Sequence, residues 1–581
     1  MTLANGTLEY LYTIGSSVSL VGMLVALWLS RHDISTAMRG VKLNRRHLYA
    51  AAAILVLFIA VEGLVVKPTQ QIFFDDVIYQ GMAQNLINMG QAWMCNYGTP
   101  TACFSGQILH EPVGTALNLA VAFSVFGIGR FAAYGMEFFL AAIAVGMTFM
   151  VALLLLKRPR AALLSELFMA LSPLVLVWAR PTSSDMPTLA YSMVAVFAVL
   201  LFAERRNVRT LSFALLSTAL VLYMKVDAVL YVPVLLAIYL IVSDRGILDS
   251  IKRNARRVYD NIFNTRALLV ALLFVLLITP EINYALTELH TGNYGMTGTY
   301  IQKTCLAQPW PEVLANSTIS LANFGYNICA NSLYWFDAYG QALEPQPVLF
   351  TAFAMLGIGL LAIYGRWRAA AALGVWFLAF FVLYTSFYAG SVMYGTDWRF
   401  MLSVIAPFSI LAGAGASYAI GVVEDIAPAD RGRERARKTA GYAAVAVVLA
   451  LIAYSSFNYL PIIGVNPSTL QQAGPARFYE NFIYNSISLI PTNCIVYSYD
   501  PTLFNINGRA AAQMSYLENT TMYSSLNAIY GCSVLDYGYW CGTPNNICTQ
   551  TADLYNLSPI VNTTYNSTGT TYTLYRITGV R

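Results

Sequence analysis

The stretch Phe73-Phe74-Asp75-Asp76-Val77-Ile78-Tyr79-Gln80-Gly81-Met82-Ala83-Gln84-Asn85-Leu86 decides how the whole chain is interpreted. Its two adjacent carboxylates precede apolar residues at helical spacing, namely Tyr79, Met82, Ala83 and Leu86. This pattern predicts an amphipathic helix that begins at the acids. An apolar run ends at Val66, so the acids stand where a membrane span would surface, and charge there is costly unless it has a partner or a task. The helix dipole, which favours acids at any helix N-terminus, explains them equally well.

The composition indicates a membrane protein with many spans. Of 581 residues, 57% are hydrophobic and 11% are charged, whereas a soluble domain would carry about 25% charged residues. The net charge of +5 does not indicate a nucleic-acid partner, because most of the 34 lysines and arginines lie in short loops on one side of the apolar runs. That bias is a signal of membrane topology.

The apolar runs and the basic loops together predict about twelve transmembrane helices with both termini outside. Because the loop behind the first span carries Arg31, Arg39, Lys42, Arg45 and Arg46, it is placed in the cytoplasm. The loop with the acid pair, 67–111, is therefore outside. The predicted spans are 11–30, 48–66, 131–156, 161–178, 187–203, 211–224, 229–242, 267–280, 348–364, 369–388, 400–422 and 441–456.

One further apolar run, 113–126, is too short to be counted as a span. About 14 residues at 1.5 Å each cover about 21 Å of a hydrocarbon core about 30 Å thick. If this run crossed, the later basic clusters would move outside. We therefore predict a juxtamembrane helix on the outer surface.

The chain divides into a membrane domain, 1–456, and an extracytoplasmic domain, 457–581. The first includes the outer loops 67–130 and 281–347. In the second, apolar spans give way to Asn, Thr, Ser and Tyr. A helical pattern over 476–490 and strand patterns over 494–499 and 571–577 predict a small α/β domain.

The cysteines support this sidedness. All eight fall in outer segments, which indicates disulfides in an oxidising space: Cys95, Cys103, Cys305, Cys329, Cys494, Cys532, Cys541 and Cys548. Spacing suggests that Cys95 pairs with Cys103, that Cys305 pairs with Cys329 and that the last four pair among themselves, although pairing is not determined by sequence.

Adjacent aspartates at an outer membrane face suit two tasks. Either one accepts a proton from an acceptor hydroxyl, or the pair holds a divalent metal such as Mg, Mn or Zn against a phosphate. His110 and Glu111 close the same loop, and Asp75, Asp76 and His110 are the candidate metal ligands. A structural, hydrogen-bonded role for His110 is an equal alternative.

Further charges lie at the outer ends of distant spans. Arg180 and Asp185 flank the start of one span and could simply pair with each other. Lys225 with Asp227, and Asp397 with Arg399, repeat the pattern. Cations on this face could bind an anionic lipid head group or act as snorkelling anchors.

From Asp75 to about Val242 the chain resembles membrane glycosyltransferases of the C superfamily (GT-C), in particular the protein O-mannosyltransferase and aminoarabinose transferase group. Four further elements in addition to the acid pair carry the resemblance: His110-Glu111-Pro112, Leu171-Ser172-Pro173 leading to Arg180 and Asp185, Lys225, and Asp397-Trp398-Arg399-Phe400. Two positions depart from the family: Glu111 replaces a proline, and Tyr134 stands where the family often has an arginine.

The resemblance implies an inverting transfer of a sugar from a polyprenyl (dolichyl-type) phosphate to a glycan, protein or lipid acceptor on the outer face. Asp75 would be the general base, and Asp76 or Asp185 would orient the acceptor or a metal. The leaving phosphate would be met by Lys225, Arg399, Arg180 and His110. The expected partners are this lipid-linked sugar, its acceptor and membrane lipids, with no nucleic acid.

Two rival readings stay open. A non-catalytic protein or a transporter could also have twelve spans, although a transporter usually shows similar halves and broken helices at mid-membrane. An oligosaccharyltransferase-like enzyme would share the fold class. The Asp536-Tyr537-Gly538 tripeptide matches part of a motif of that class, but the two tryptophans that should precede it are missing.

Overall fold

The computed structural model describes residues 2–41, 43–66, 75–107, 112–243, 265–291, 298–300, 313–315, 347–386, 397–426, 433–457, 473–538, 541, 547–566 and 569–581. Within them a large helical bundle precedes a smaller α/β region. The bundle helices are α1 Thr2–Leu29, α2 Arg31–Arg39, α3 Arg45–Leu64, α4 Asp75–Met89, α5 Val113–Phe126, α6 Arg130–Leu156, α7 Pro159–Ala170, α8 Pro173–Trp178, α9 Asp185–Arg205, α10 Val208–Leu222, α11 Tyr231–Val242, α12 Thr265–Thr291, α13 Val348–Ile363, α14 Trp367–Ser386, α15 Leu402–Ile426 and α16 Arg433–Phe457.

Eight helices in the described part of the chain are long and apolar enough to cross a membrane: α1, α3, α6, α9, α12, α14, α15 and α16. Each coincides with a predicted span. Three other predicted spans are the shorter apolar helices α10, α11 and α13. The predicted span 161–178 is divided into α7 and α8 at Ser172-Pro173, because proline cannot continue the hydrogen bonding of the preceding helix. A polytopic helical membrane protein is therefore confirmed, whereas the count of twelve spans is not.

Helices α9 and α15 form the centre of the bundle, and almost all residues of their apolar stretches are buried. By contrast, α3 and α16 leave large apolar side chains exposed, including Leu48, Val56, Tyr442 and Val447. Such side chains are stable on the surface when that surface faces lipid. Burial thus separates central helices from lipid-facing ones.

Helices α13 and α15 approach each other through glycines. A Cβ atom at Gly357 would lie 2.0 Å from the carbonyl oxygen of Leu411, and one at Gly415 would lie 2.0 Å from that of Phe353. Since a carbonyl oxygen cannot move aside as a flexible side chain can, these positions require glycine. Small residues at helix contacts are the usual means by which membrane helices pack closely.

Replacing Gly357 by alanine should therefore destabilise the bundle by about 1–3 kcal/mol through overpacking. Gly359 on the same helix is the matched control, because nothing lies within 4 Å of a Cβ built there. Thermal unfolding in detergent should show a lowered midpoint for Gly357→Ala and an unchanged or slightly raised midpoint for Gly359→Ala. Equal midpoints for the two variants would contradict the close contact.

The smaller region is built on a seven-stranded sheet of order β2-β1-β6-β5-β7-β9-β8. The strand β5 runs parallel to β6 and β7, and the other neighbours are antiparallel. Its strands are β1 Met94–Thr99, β2 Ala102–Gln107, β5 Cys494–Ser498, β6 Ala510–Gln513, β7 Cys532–Tyr537, β8 Tyr555–Tyr565 and β9 Thr570–Val580, and a separate pair comprises β3 Gly298–Tyr300 and β4 Val313–Ala315. The helices of this region are α17 Ala473–Ser486, α18 Pro501–Ile506, α19 Thr520–Tyr530 and α20 Ile547–Leu554. The predicted α/β region is confirmed, with its first helix and two of its strands.

Two strands of this sheet come from the first outer loop. The hairpin of β1 and β2 pairs with β6 through Tyr97 opposite Ala512 and Gly98 opposite Ala511. A polar sheet does not pass through lipid, so the first outer loop and the C-terminal region lie on one side of the membrane. The domain boundary at 457 stays a prediction, and the sheet includes one hairpin from before it.

Three disulfides agree with the predicted pairing. Cys95 is bonded to Cys103 within the hairpin, Cys494 to Cys532 across β5 and β7, and Cys541 to Cys548. The predicted pair of Cys305 and Cys329 lies outside the described residues. Because each described bond closes a part of the sheet region, the cysteines support its fold and not the site.

Two carboxyl groups are buried inside the sheet region. Asp536 on β7 accepts hydrogen bonds from the hydroxyls of Tyr479 at 2.5 Å and Ser498 at 2.7 Å. Asp500 follows β5 and receives backbone N–H groups at the start of α18. Burial raises the pKa of each carboxyl from its ordinary 3.8 to about 7, and the hydrogen bonds offset only part of that effect.

These raised pKa values predict that stability falls as pH rises. Between about pH 4 and 7 the folded state keeps protons that the unfolded state releases, so the free energy of unfolding decreases across that window. The midpoint of thermal unfolding should therefore be lower at pH 8 than at pH 5. Asp536→Asn should flatten this dependence, whereas Asp553→Asn, at an exposed position, should not.

Candidate active site

Helix α4 lies between the bundle and the sheet region. Its Tyr79, Met82 and Ala83 are buried in the core of the bundle, as the predicted stripe requires, while Val77 belongs to the core of the sheet region. On another face, α4 approaches α18 so closely that a Cβ atom at Gly81 would lie 2.0 Å from the methyl group of Thr502. The acids at the start of α4 therefore stand where the two cores meet.

The described part of the acid pair is Asp76, whose side chain is fully buried. The side chain of Asp75, and both His110 and Glu111, lie outside the described residues. The amide of Gln80 donates to the carbonyl oxygen of Asp76 at 2.9 Å and to the hydroxyl of Thr182 at 3.4 Å. This amide links α4 to the segment that precedes α9.

Helix α6 brings two more polar side chains towards Asp76. Tyr134 and Glu137 both lie within electrostatic reach of that carboxylate, and Glu137 is also within reach of Asp185. Glu137 is fully buried, and its carboxyl group accepts a backbone hydrogen bond from Ser183 in the segment before α9. A buried acid of this kind is costly and is usually retained for function.

The sheet region contributes a carboxylate to the same place. The hydroxyl of Tyr134 donates to Oε1 of Glu480 on α17 at 3.1 Å, and Arg130 lies 3.8 Å from the same oxygen. The Arg130 guanidinium also stacks on the ring of Tyr484 at 4.1 Å. Tyr134 thus attaches the sheet region to α6 beside Asp76.

Three of the predicted site residues meet in one ion-pair cluster. The Lys225 ammonium lies 2.7 Å from Oδ1 of Asp185 and 3.1 Å from Oδ2 of Asp227. Nε of Arg399 lies 3.9 Å from Oδ2 of Asp185. These ion pairs therefore join three separate span ends: the start of α9, the segment after α10 and the segment before α15.

Two aromatic side chains complete the cluster. The hydroxyl of Tyr384 on α14 donates to Oδ2 of Asp227 and accepts from the Lys225 ammonium at 3.2 Å. The ring of Phe400 lies below both cations, 4.6 Å from Nζ of Lys225 and 4.9 Å from the Arg399 guanidinium. Cations held over aromatic rings keep a favourable contact in a site with little water.

The short helix α5 positions the chain just before Lys225. The backbone N–H of Gly114 donates to the carbonyl oxygen of Tyr223 at 2.9 Å, and the hydroxyl of Thr115 donates to that of Met224 at 3.3 Å. A Cβ at Gly114 would lie 2.5 Å from the same Tyr223 oxygen, which explains the glycine. The predicted helix 113–126 is present, and it packs mainly against α4, α6 and α1.

Arg180 does not join the cluster. Its Nε lies 3.1 Å from Oε1 of the fully buried Glu62 on α3, and its guanidinium also donates to the Glu62 carbonyl oxygen. The alternative in which Arg180 and Asp185 pair with each other is therefore wrong, because Glu62 supplies the charge partner of Arg180 and Lys225 that of Asp185. The expected Lys225–Asp227 pair is confirmed; the side chain of Asp397 lies outside the described residues.

Sequence reasoning missed Glu62, Glu137, Tyr384 and Glu480. Glu137 could have been found, because an acid inside a 27-residue apolar helix is a signal in itself. Glu62 carries the same signal within the apolar helix α3, whereas Tyr384 and Glu480 carry no local signal. In the described residues no group of three or more His, Cys, Asp or Glu side chains could hold a metal ion. Since the predicted ligand His110 lies outside them, the metal remains a prediction.

Comparisons with known proteins agree with this geometry. The sequence profile of the dolichyl-phosphate-mannose-protein mannosyltransferase family matches residues 110–281, which include Asp185 and Lys225. The crystal structure of apo ArnT from Cupriavidus metallidurans superposes with a TM-score of 0.52 at 14% identity, covering 90% of this chain and 98% of that one. The chain has the GT-C fold. This result confirms the predicted resemblance to membrane glycosyltransferases and agrees with the predicted class of enzyme.

Other solved structures share this fold. ArnT bound to undecaprenyl phosphate gives a TM-score of 0.52 at 13% identity, covering 89% of this chain and 97% of that one. The apo oligosaccharyltransferase of Archaeoglobus fulgidus gives 0.50 at 13% identity, covering 92% and 74%. A search of curated protein sequences finds no match.

Breaking the buried Lys225 pair should destabilise the GT-C bundle strongly. Lys225→Met leaves the buried Asp185 with the more distant Arg399 cation, 3.9 Å away, and breaking a buried pair costs about 3–5 kcal/mol. Lys157 is the matched control, because its ammonium lies 2.8 Å from Glu204 but both side chains are about a third exposed. Lys157→Met should change the midpoint of thermal unfolding little, since exposed pairs contribute about 0–1 kcal/mol. Equal effects of the two variants would contradict the assigned burial.

Proposed function

We propose that this protein transfers a sugar from a polyprenyl phosphate to an acceptor hydroxyl on the extracytoplasmic side of the membrane. The observation that carries the proposal is the meeting of Lys225 and Arg399 at the end of the bundle where the acid helix begins. ArnT has been crystallised with undecaprenyl phosphate, and its similarity in fold supports this class of donor.

The cations suit the departing phosphate. When the bond between the sugar carbon and the phosphate oxygen breaks, the electron pair stays on the phosphate, which needs nearby positive charge but no proton. Lys225 and Arg399 supply that charge. Arg180 is compensated by Glu62, so its role is to hold α3 against the loop before α9, and His110 remains a candidate phosphate ligand.

The acids suit the acceptor. Asp75, at the first residue of α4, would take the proton of the acceptor hydroxyl as the hydroxyl oxygen attacks the sugar carbon from the side opposite the phosphate, with inversion. Asp76 and Asp185 would orient the acceptor. Glu111, the last residue of the outer loop 67–111 that carries the acid pair, is a further candidate for substrate binding. A divalent metal, if bound, would be held by Asp75, Asp76 and His110, where it could polarise the phosphate.

Orientation follows from the predicted topology and the sheet. The pairing of the hairpin β1–β2 with β6 supports a common side of the membrane for the acid-pair loop and the sheet region, and the disulfides there favour an oxidising compartment. We infer that the acceptor approaches from this compartment, while the polyprenyl tail lies among the lipid-facing helices.

An oligosaccharyltransferase-like reaction is a second candidate, since the Archaeoglobus fulgidus enzyme shares the fold. The Asp536-Tyr537-Gly538 tripeptide gives it no support. Asp536 is buried in the sheet region and bonded to Tyr479 and Ser498, so that it cannot contact an acceptor.

The proposal is tested with purified protein and a panel of polyprenyl-phosphate sugars. Asp75→Asn should reduce transfer by about 100-fold or more, because general base catalysis contributes about 10²–10⁴-fold. Asp425→Asn, at an exposed cytoplasmic-side position, is the control and should retain full transfer. Transfer that survives Asp75→Asn would remove Asp75 as the base, and transfer only from diphosphate-linked oligosaccharides would favour the second candidate.

A further inference from the structure

Two carboxylates hold the Lys225 ammonium, and they differ in exposure. The side chain of Asp185 is 2% exposed, whereas that of Asp227 is 24% exposed. Asp185 is the first residue of the 21-residue helix α9, whose N-terminus favours a negative charge. Asp227 lies in a short 3-10 helix, Val226–Leu230, directly after Lys225.

Among the residues that the structure describes, the cluster has no surplus positive charge. Asp185 and Asp227 contribute two negative charges, and Lys225 and Arg399 contribute two positive ones. A phosphate that entered this arrangement would meet two carboxylates as well as two cations, and in a site of low dielectric constant that repulsion is strong. One carboxylate must therefore leave the cations before a phosphate can bind them well.

The geometry determines which carboxylate leaves. Asp185 is buried and contacts both Lys225 and Arg399, so its displacement would leave a charge without compensation inside the protein. Asp227 can rotate towards its exposed side. This rotation would release the Lys225 ammonium and the Tyr384 hydroxyl together, because both now contact the same Oδ2 atom of Asp227.

We propose that Asp227 is an internal competitor for the phosphate of the lipid carrier, and that it promotes release of the spent carrier. The proposal rests on the function proposed above. The Asp227 carboxylate contacts both the Lys225 ammonium and the Tyr384 hydroxyl, and it stands where an oxygen of the phosphate would bind between them. The spent carrier is a phosphomonoester with a charge between −1 and −2 near pH 7, whereas the sugar-loaded donor is a phosphodiester with a charge of −1. Repulsion by Asp227 therefore acts more strongly on the product.

The test is direct binding of undecaprenyl phosphate to the full chain in detergent. Asp227→Asn keeps the shape and an acceptor for Tyr384 but removes the charge, so its dissociation constant should fall by about tenfold. In transfer assays its inhibition by undecaprenyl phosphate should strengthen by a similar factor. Asp425→Asn removes an aspartate from an exposed ion pair with Arg437 and should leave both constants unchanged.

The sign of the effect separates competition from a structural role. A residue that only supports the site, or that binds the ligand, would weaken binding when neutralised. Equal or weaker binding by Asp227→Asn, with binding by the wild type intact, would overturn the competitor role and leave the proposed function standing. If neither protein binds undecaprenyl phosphate, both proposals fail. Should Asp227→Asn not fold, Asp227→Ser removes the same charge and carries the same expectation.

Discussion

Two hydrophobic cores share one helix, and the site depends on that constraint. Helix α4 buries Tyr79 and Met82 in the bundle and Val77 in the sheet region. Because Gly81 has no side chain, Thr502 can pack closely against the helix. A helix fixed on both sides cannot shift without opening a core. The position of its N-terminal acids is therefore fixed by the burial of its apolar side chains, which contributes more free energy than the interactions of the acids themselves.

The same logic of compensation explains the charged residues around it. Carboxylates and cations at the end of a membrane bundle have little water to solvate them, so each must find a partner or destabilise the fold. Glu62 forms an ion pair with Arg180. Lys225 forms ion pairs with both Asp185 and Asp227, and Glu480 accepts a hydrogen bond from Tyr134. Under the proposed function, stability and chemistry depend on the same groups, and an anion that binds here would replace one internal partner of the cations.

The sequence predicted the elements that local pattern encodes. The acid helix, the eight long spans, the Cys95–Cys103 bond and the meeting of Lys225 with Asp227 all follow from spacing of a few residues. The break at Ser172-Pro173 was not predicted, since 161–178 was expected to be one span. Long-range pairs did not follow. Tyr134 and Glu480 are 346 positions apart, and Tyr384 and Asp227 are 157 apart, so no periodicity connects them.

The sequence by itself determined the class of protein and the level of the membrane at which its charges lie, because apolar length and basic loops act locally and additively. Only the tertiary structure decided which charges are partners. A buried ion pairs with the opposite charge that the packed backbone brings within about 4 Å, because a buried ion without a partner would carry the full desolvation cost. For that reason Arg180 lies against Glu62, while Lys225 and Arg399 share Asp185.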